Sequence, residues 1–262
     1  MLVLIKGAGD VASGVALRIW RSGFDVIMTE IPEPTVIRRT VAFAEAVYQG
    51  IVEVEGVTAR LAKDASEAMA LLKEGVIPVL VDPEANCRLE LAPQVIVDAT
   101  LAKRNLGTFR GQAPLVIGCG PGFTAGEEVD LVVETKRGHY LGRVLTEGSA
   151  APNTGIPGSV EGYAEERVLR ATADGLFTGL KEIGDYVNKG QAVAKAGEEP
   201  ICAEISGVLR GILRSGLQVH KGMKVGDIDP RGEIQYCYTV SDKALAVGGG
   251  VLEGILRHQA MR

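Results

Sequence analysis

Six short apolar runs, each closed by turn-forming or charged residues, constrain this chain more than any other feature. They are LVLIKG (2–7), DVIMTE (25–30), VIPVLVD (76–82), QVIVDAT (94–100), PLVIGCG (114–120) and DLVVET (130–135). Strands buried on both faces read as continuous apolar runs, whereas half-exposed strands alternate. Between the runs lie stretches with helical spacing. VASGVALRIWRSG (11–23) and PTVIRRTVAFAEAVYQG (34–50) read as helices, and DASEAMALLKEG (64–75) opens on an Asp or Ser cap. IVEVEGVTARLA (51–62) is strand-like. Strands alternating with helices predict an α/β layer architecture. The expectation for residues 1–150 is a Rossmann-like, doubly wound, mostly parallel sheet.

The pattern breaks at GSAAPNTGIPGSV (148–160), where small residues, Gly and Pro dominate, so a domain boundary falls there. Residues 160–232 are glycine-punctuated and β-like. IGDYVNKGQAVA (183–194) and SGLQVHKGMKVG (215–226) share the pattern V-x-K-G. That repeat resembles the barrel-sandwich hybrid of biotinyl and lipoyl domains, with Gly184, Asp185, Val187, Gly190 and Gln191 matching its turn. Carrier domains present a lysine on a hairpin between the two halves. Here the corresponding stretch, AGEEPICAE, has none at its tip, so the expectation is the fold without the carrier function. DIDPRG (227–232) reads as a polar turn or a contact loop, and 233–262 as a C-terminal strand and helix.

Composition narrows the function classes. The 262 residues are 46% hydrophobic with a net charge of −5, enough for a sizeable core and unlike a general nucleic-acid or membrane-surface binder. Lys6 and Gly7 interrupt the first apolar run, and no run approaches the ~20 residues of a membrane span. A cytoplasmic protein is expected. The four cysteines (Cys87, Cys119, Cys202, Cys237) and three histidines (His139, His220, His258) are scattered, without the spacing of a metal or redox site.

Gly7-Ala8-Gly9-Asp10-Val11-Ala12 fits G-x-G-x-x-A and lies between a strand and a helix. In that context Gly7 permits a tight turn, Gly9 lets a pyrophosphate approach, and Ala12 allows close helix packing. Helix-end N–H groups attract the anion. Glu30, ending the next strand, stands where a carboxylate would hold a ribose and favour NAD. Lys6 is unusual for a plain NAD site, and Arg38 and Arg39 either meet a phosphate-rich ligand or solvate a helix face. The motif alone leaves open a glycine turn used only for packing.

A second glycine cluster, Gly118-Cys119-Gly120-Pro121-Gly122, follows another strand, and its N–H groups are candidates for an anion nest. Asp98, Ala99, Thr100, Glu134, Thr135, Arg137 and His139 also fall at strand ends, where open α/β sheets bind ligands. Cys119 is either a thiolate able to carry sulfur or selenium, or a small buried residue filling the turn.

Five longer blocks carry a family resemblance: GAGDVASGVALRIWRSGFDVIMTEI, PTVIRRTVAFAEAVY, PVLVDPE, GCGPGFTAGEEVDLVVETKRGHYLGRV and KVGDIDPRG. The chain resembles, over nearly its whole length, the YqeB-type accessory proteins of selenium-dependent molybdenum hydroxylases, which are related to the XdhC-type xanthine dehydrogenase accessory proteins. The resemblance implies a cofactor-maturation or binding helper rather than a stand-alone enzyme. Its implied partner is a molybdenum hydroxylase or its maturation machinery, with self-association compatible. The two glycine turns suit a pyrophosphate-bearing ligand such as molybdopterin dinucleotide, alternatively NAD, at Gly7, Gly9, Asp10, Ala12, Glu30, Gly118, Gly120 and Gly122, with Cys119 in its turn as the catalytic candidate. An NAD-dependent oxidoreductase and a non-catalytic interaction scaffold are the alternatives.

Overall fold

The computed structural model describes residues 1–260 and separates into two units. Among the described residues, the first comprises 1–34, 42–153 and 240–260, and the second comprises 35–41 and 154–239. The C-terminal helix therefore belongs with the N-terminal sheet.

In the first unit, β1 (Leu2–Lys6) leads through α1 (Asp10–Arg21) to β2 (Asp25–Glu30). Then come α2 (Ala46–Gln49), β3 (Ile51–Val54), β4 (Val57–Ala62), α3 (Ala65–Lys73), β5 (Ile77–Val81), α4 (Arg88–Leu91) and β6 (Val95–Asp98). After them come β7 (Leu115–Cys119), β8 (Thr124–Ala125), β9 (Leu131–Val133), β10 (Val144–Leu145) and β11 (Gly148–Ser149). Nine strands form one sheet in the order β10-β9-β7-β6-β1-β2-β5-β4-β3, and β8 pairs with β11 apart from it. Leu4, Ile5, Ile27, Met28, Ile96 and Ile117 are fully buried in the sheet, and Leu17 and Ile19 of α1 pack on it. Burying each is worth about 1.5–3 kcal/mol.

The Rossmann-like expectation needs correction. The sheet is mixed: β10 runs antiparallel to β9 at one edge, and β3 antiparallel to β4 at the other. The β3–β4 hairpin turns on Glu55 and Gly56, both with positive φ, as a two-residue hairpin requires. No helix joins β6 to β7, or β7 to β9, so the regular crossovers of a doubly wound sheet stop there. Cover comes instead from the far end of the chain, as α5 (Asp242–Ala260).

Residues 34–50 are also not one helix. They form two single 3-10 turns, Arg39–Val41 and Phe43–Glu45, and then the short α2. The reason is that their backbone groups have other partners. The Phe43 N–H donates to Ser13 Oγ at 2.8 Å and the Ala44 N–H to Ala8 O at 2.8 Å. The Ile37 carbonyl accepts from the Ile212 N–H at 2.8 Å.

The second unit contains β12 (Val168–Arg170), β13 (Gly175–Gly179), β14 (Tyr186–Val187), β15 (Ala192–Ala196), β16 (Glu199–Cys202), β17 (Gly207–Ile212), β18 (Gln218–Val219) and β19 (Lys224–Asp229). They form two antiparallel four-stranded sheets, β12-β19-β17-β14 and β16-β15-β13-β18, around one apolar core. The barrel-sandwich expectation is corrected to this pair of sheets, which also takes in residues 35–41 from the first half of the chain. The two V-x-K-G repeats fall at β14 and β18, one in each sheet, and Gly190 and Gly222 share nearly the same φ, +83° and +85°. Where a C-terminal strand was expected, Ile234–Cys237 forms a 3-10 turn.

Candidate functional site

The carboxyl ends of β1, β6, β7 and β9 come together at one end of the sheet, and four loops and two helix starts meet there. Gly7 turns with φ +94°, and its N–H donates to Thr29 O at 2.8 Å. A Cβ on Gly7 would lie 3.1 Å from Thr100 N and Cα, so the turn packs directly against the loop after β6. Gly9 caps α1 without a side-chain hydrogen bond, and Asp10 lies in the first turn. Ala12 is buried.

Glu30 turns its carboxylate onto the backbone of the glycine turn. Its Oε2 accepts from the Ala8 N–H and its Oε1 from the Ile31 N–H, both at 2.8 Å. A backbone donor of the glycine turn is thus already bound to a carboxylate of the same chain. Burial pushes the Glu30 carboxyl above its ordinary value, against the pull of those two N–H groups.

The second glycine cluster is closed by packing. A Cβ on Gly118 would meet the Phe123 ring at 2.5 Å, one on Gly120 would meet Thr135 Oγ1 at 2.5 Å, and one on Gly122 would meet Arg104 backbone at 2.8 Å. The Gly120 N–H donates to Val133 O at 2.8 Å. Cys119 is fully buried, and burial, then the nearby Asp98 carboxylate, push its thiol up. It stays a thiol at neutral pH.

Beneath these loops lies a closed polar network. Lys6 Nζ donates to Leu106 O at 3.0 Å and lies 4.0 Å from Asp98 Oδ2. Asp98 accepts from Thr100 N–H at 3.1 Å and Oγ1 at 2.7 Å, and from Thr108 Oγ1 at 2.6 Å. The network holds the loop after β6 in a shape where Leu101 and Lys103 take positive φ, +54° and +64°. Non-glycine residues pay for that conformation, and such strain collects at functional sites.

Lys243 is the group at this end that sequence reasoning missed. It lies in the first turn of α5, partly buried. Burial disfavours its ammonium; the Asp10 carboxylate favours it, Arg137 opposes it, Glu134 favours it and Lys103 opposes it. Burial and the cations win, and the Lys243 amine is held below the ordinary lysine range. Packing explains how it arrives there. A Cβ on Gly14 of α1 would touch Ala244 Cβ at 2.5 Å, so the starts of α1 and α5 are in close contact. Arg137 grips Asp242 with two hydrogen bonds, of 2.7 and 3.0 Å. Glu134 accepts from the N–H groups of Lys136 and Ala151, both at 2.7 Å, which fixes the loops on that side. The one sequence signal was Gly248-Gly249-Gly250, a triplet that lets α5 approach its neighbours closely.

His139 is exposed and stacks edge-on against Tyr140, with ring centroids 5.0 Å apart. Arg38 and Arg39 serve the second unit: Arg38 donates to the carbonyls of Tyr236 and Thr239, and Arg39 to that of Ile212. DIDPRG is internal to that unit, with Asp227 paired to Arg167 and Asp229 to Arg210 and Arg231. Among the described residues, no three His, Cys, Asp or Glu side chains gather as a metal site. No helix among them is long and apolar enough to cross a membrane.

The chain is 53% identical over 263 residues to a protein of Escherichia coli (strain K12), described as uncharacterized protein YqeB. The chain is similar to YqeB. The match takes in all of this chain but 49% of the relative, so the chain spans about half the length of the curated relative it matches. The name agrees with the sequence resemblance and brings no activity with it. No family model matches. Solved structures with some likeness include an aspartoacylase family protein from Mesorhizobium loti, at 14% identity and TM-score 0.26, covering 87% of this chain and 83% of that one. A succinylglutamate desuccinylase/aspartoacylase from Rhodobacter sphaeroides gives the same identity and TM-score, with 87% and 84% covered. The ectoine utilization protein EutE (DoeB) from Ruegeria pomeroyi gives 11% identity and TM-score 0.24, with 87% and 57% covered. At these scores the likeness carries no argument about this chain's chemistry.

The molybdenum-hydroxylase accessory role is therefore corrected. The relative's name says nothing of selenium or molybdenum. The physical ground is internal. Gly7, Ala8, Gly118 and Gly120 are buried. Glu30 occupies the first turn, and Phe123, Thr135 and Arg104 fill the second.

Proposed function

We propose that the first unit binds a small anionic metabolite, bearing a carboxylate or phosphate, at the strand ends beside Lys243. The observation that carries this reading is the charge balance around that amine. Lys103 and Arg137 both act on Lys243, with Asp10 the strongest opposing charge, Arg137 held by Asp242 and both oxygens of Glu134 committed to backbone N–H groups. Burial makes the Lys243 ammonium costly, and a small anion beside it relieves that cost.

The test is calorimetric titration with inorganic phosphate, pyrophosphate, succinate and pyruvate, with NAD and molybdopterin dinucleotide in the same panel. The expected result is saturable binding of at least one small anion, weakened at least tenfold in Lys243→Met and reduced in Lys103→Met. Equal binding by Lys243→Met would overturn the reading, as would an anion-blind protein. Tight binding of either dinucleotide alone would reassign the ligand.

A further inference from the structure

A cavity of about 170 Å³ lies where the last turns of α5 meet the amino ends of β7 and β9. We infer that it is a second site of the first unit, for a small carboxylic acid with a compact apolar body. It is roughly 20 Å along α5 from Lys243, at 1.5 Å per residue, and does not depend on the reading given above.

The lining sets the class of ligand. Pro114, Leu115 and Leu131 supply apolar surface. Gly254 supplies the helix side, and a Cβ on it would lie 2.9 Å from Leu131 Cδ1, so α5 is as close to β9 here as packing permits. The volume is close to that of a cavity of ~150 Å³ that holds benzene. That leaves room for one ring or one branched chain.

Three polar residues also line the cavity, and they are not equally committed. Asp130 is answered at both oxygens: Oδ1 accepts from Arg110 Nε at 2.9 Å and Oδ2 from the Val116 N–H at 2.8 Å. Arg257 has only a loose pair, 3.5 Å from Glu253, with both side chains about half exposed. Among the described residues, the His258 Nε2 is buried without a hydrogen-bond partner. Buried polar atoms are nearly always paired, and an orphaned one calls for a partner. One carboxylate satisfies both needs. It forks onto the Arg257 guanidinium and gives the imidazole its hydrogen bond. The apolar body of the same molecule covers the leucines.

The experiment titrates the full chain with benzoate and follows the assigned ring resonances of its three histidines by NMR, with acetate and benzyl alcohol as controls. The expected result is saturable benzoate binding that moves the His258 ring and leaves His139 and His220 in place. Acetate lacks the apolar body and benzyl alcohol the charge, so each should bind more weakly. Arg257→Met should weaken benzoate roughly tenfold, the size of one charge-assisted hydrogen bond. Absence of saturation would overturn the proposal and leave the cavity to water. Movement of another histidine without His258 would place the ligand elsewhere and overturn it too. Acetate binding as tightly as benzoate, or Arg257→Met binding benzoate like wild type, would overturn the ligand class. The wild-type resonances decide the location even if the variant fails to fold.

Discussion

The two units treat buried charge in opposite ways. In the β unit, Asp229 is 3% exposed and completely answered: Arg231 grips it with two bonds of 2.8 and 2.6 Å, its own turn adds the Arg231 N–H, and Arg210 lies 3.5 Å away. In the sheet unit, burial outweighs the carboxylates of Asp10 and Glu134 around Lys243, and its amine is held below the ordinary lysine range. A closed ionic network consolidates a fold. A half-buried amine that its surroundings disfavour as a cation is a different arrangement. The same unit shows that this is a choice, because Lys6 and Asp98 are closed as tightly as anything in the β unit.

The largest effect should come from breaking a closed network. Asp229→Ala leaves Arg210, 8% exposed, without its carboxylate. Removing one partner of a buried pair typically costs about 3–5 kcal/mol. Denaturant unfolding should show that loss, while anion binding at the sheet unit stays as in wild type wherever the variant is folded. A loss below about 1 kcal/mol would mean the network is no more closed than a surface pair, and the comparison would collapse.

A middling effect tests how α5 delivers Lys243. A Cβ on Gly250 would run into the Gly142 carbonyl, whereas one on Gly249 meets nothing within 4 Å. Gly250→Ala should cost about 1–3 kcal/mol, the usual range for overpacking, and weaken anion binding by shifting the helix. Gly249→Ala should gain up to about 1 kcal/mol, since a helix-interior glycine gives up that much relative to Ala. Equal melting temperatures for the two variants would show that the helix does not depend on that close approach.

What was legible in the sequence follows the same division. The apolar runs named their strands because burial on both faces leaves no alternation to misread, as at Leu4, Ile96 and Ile117. The Asp64 cap was readable because it is local: its side chain accepts from the Glu67 N–H. The 34–50 helix was misread because Phe43, Ala44 and Ile37 take partners far away in sequence, which periodicity cannot register. A G-x-G-x-x-A motif specifies a turn, and Gly7 makes one. It does not specify what answers the turn's N–H groups, and here Glu30 does. Lys243 was hidden for a simpler reason. It reaches the strand ends from the opposite end of the chain, and no local pattern announces that.

The smallest effect is a difference in pH response, and it sharpens the comparison because the two units should respond at opposite ends of the scale. Burial pushes the Asp229 carboxyl up, but the Arg231 side chain, its N–H and charge, and then Arg210 outweigh it, so the group ends below its ordinary value. A depressed carboxyl contributes stability above its unfolded pKa of about 3.9, lost as pH falls through the lower folded value. The Lys243 amine is also lowered and the slope has the same sign, but here the charged form is the disfavoured one. Between its folded value and the unfolded value of about 10.4, the unfolded chain holds a proton that the folded chain lacks, so stability rises with pH across that window. The groups facing Lys243 (Asp10, Glu134, Lys103 and Arg137) are present in both proteins being compared, so subtraction isolates the lysine. Unfolding midpoints of wild type minus Lys243→Met should therefore climb on the alkaline side and stay flat in acid. A difference that is flat on the alkaline side would mean that the amine is solvated normally, and the cluster around it would then be an ordinary surface.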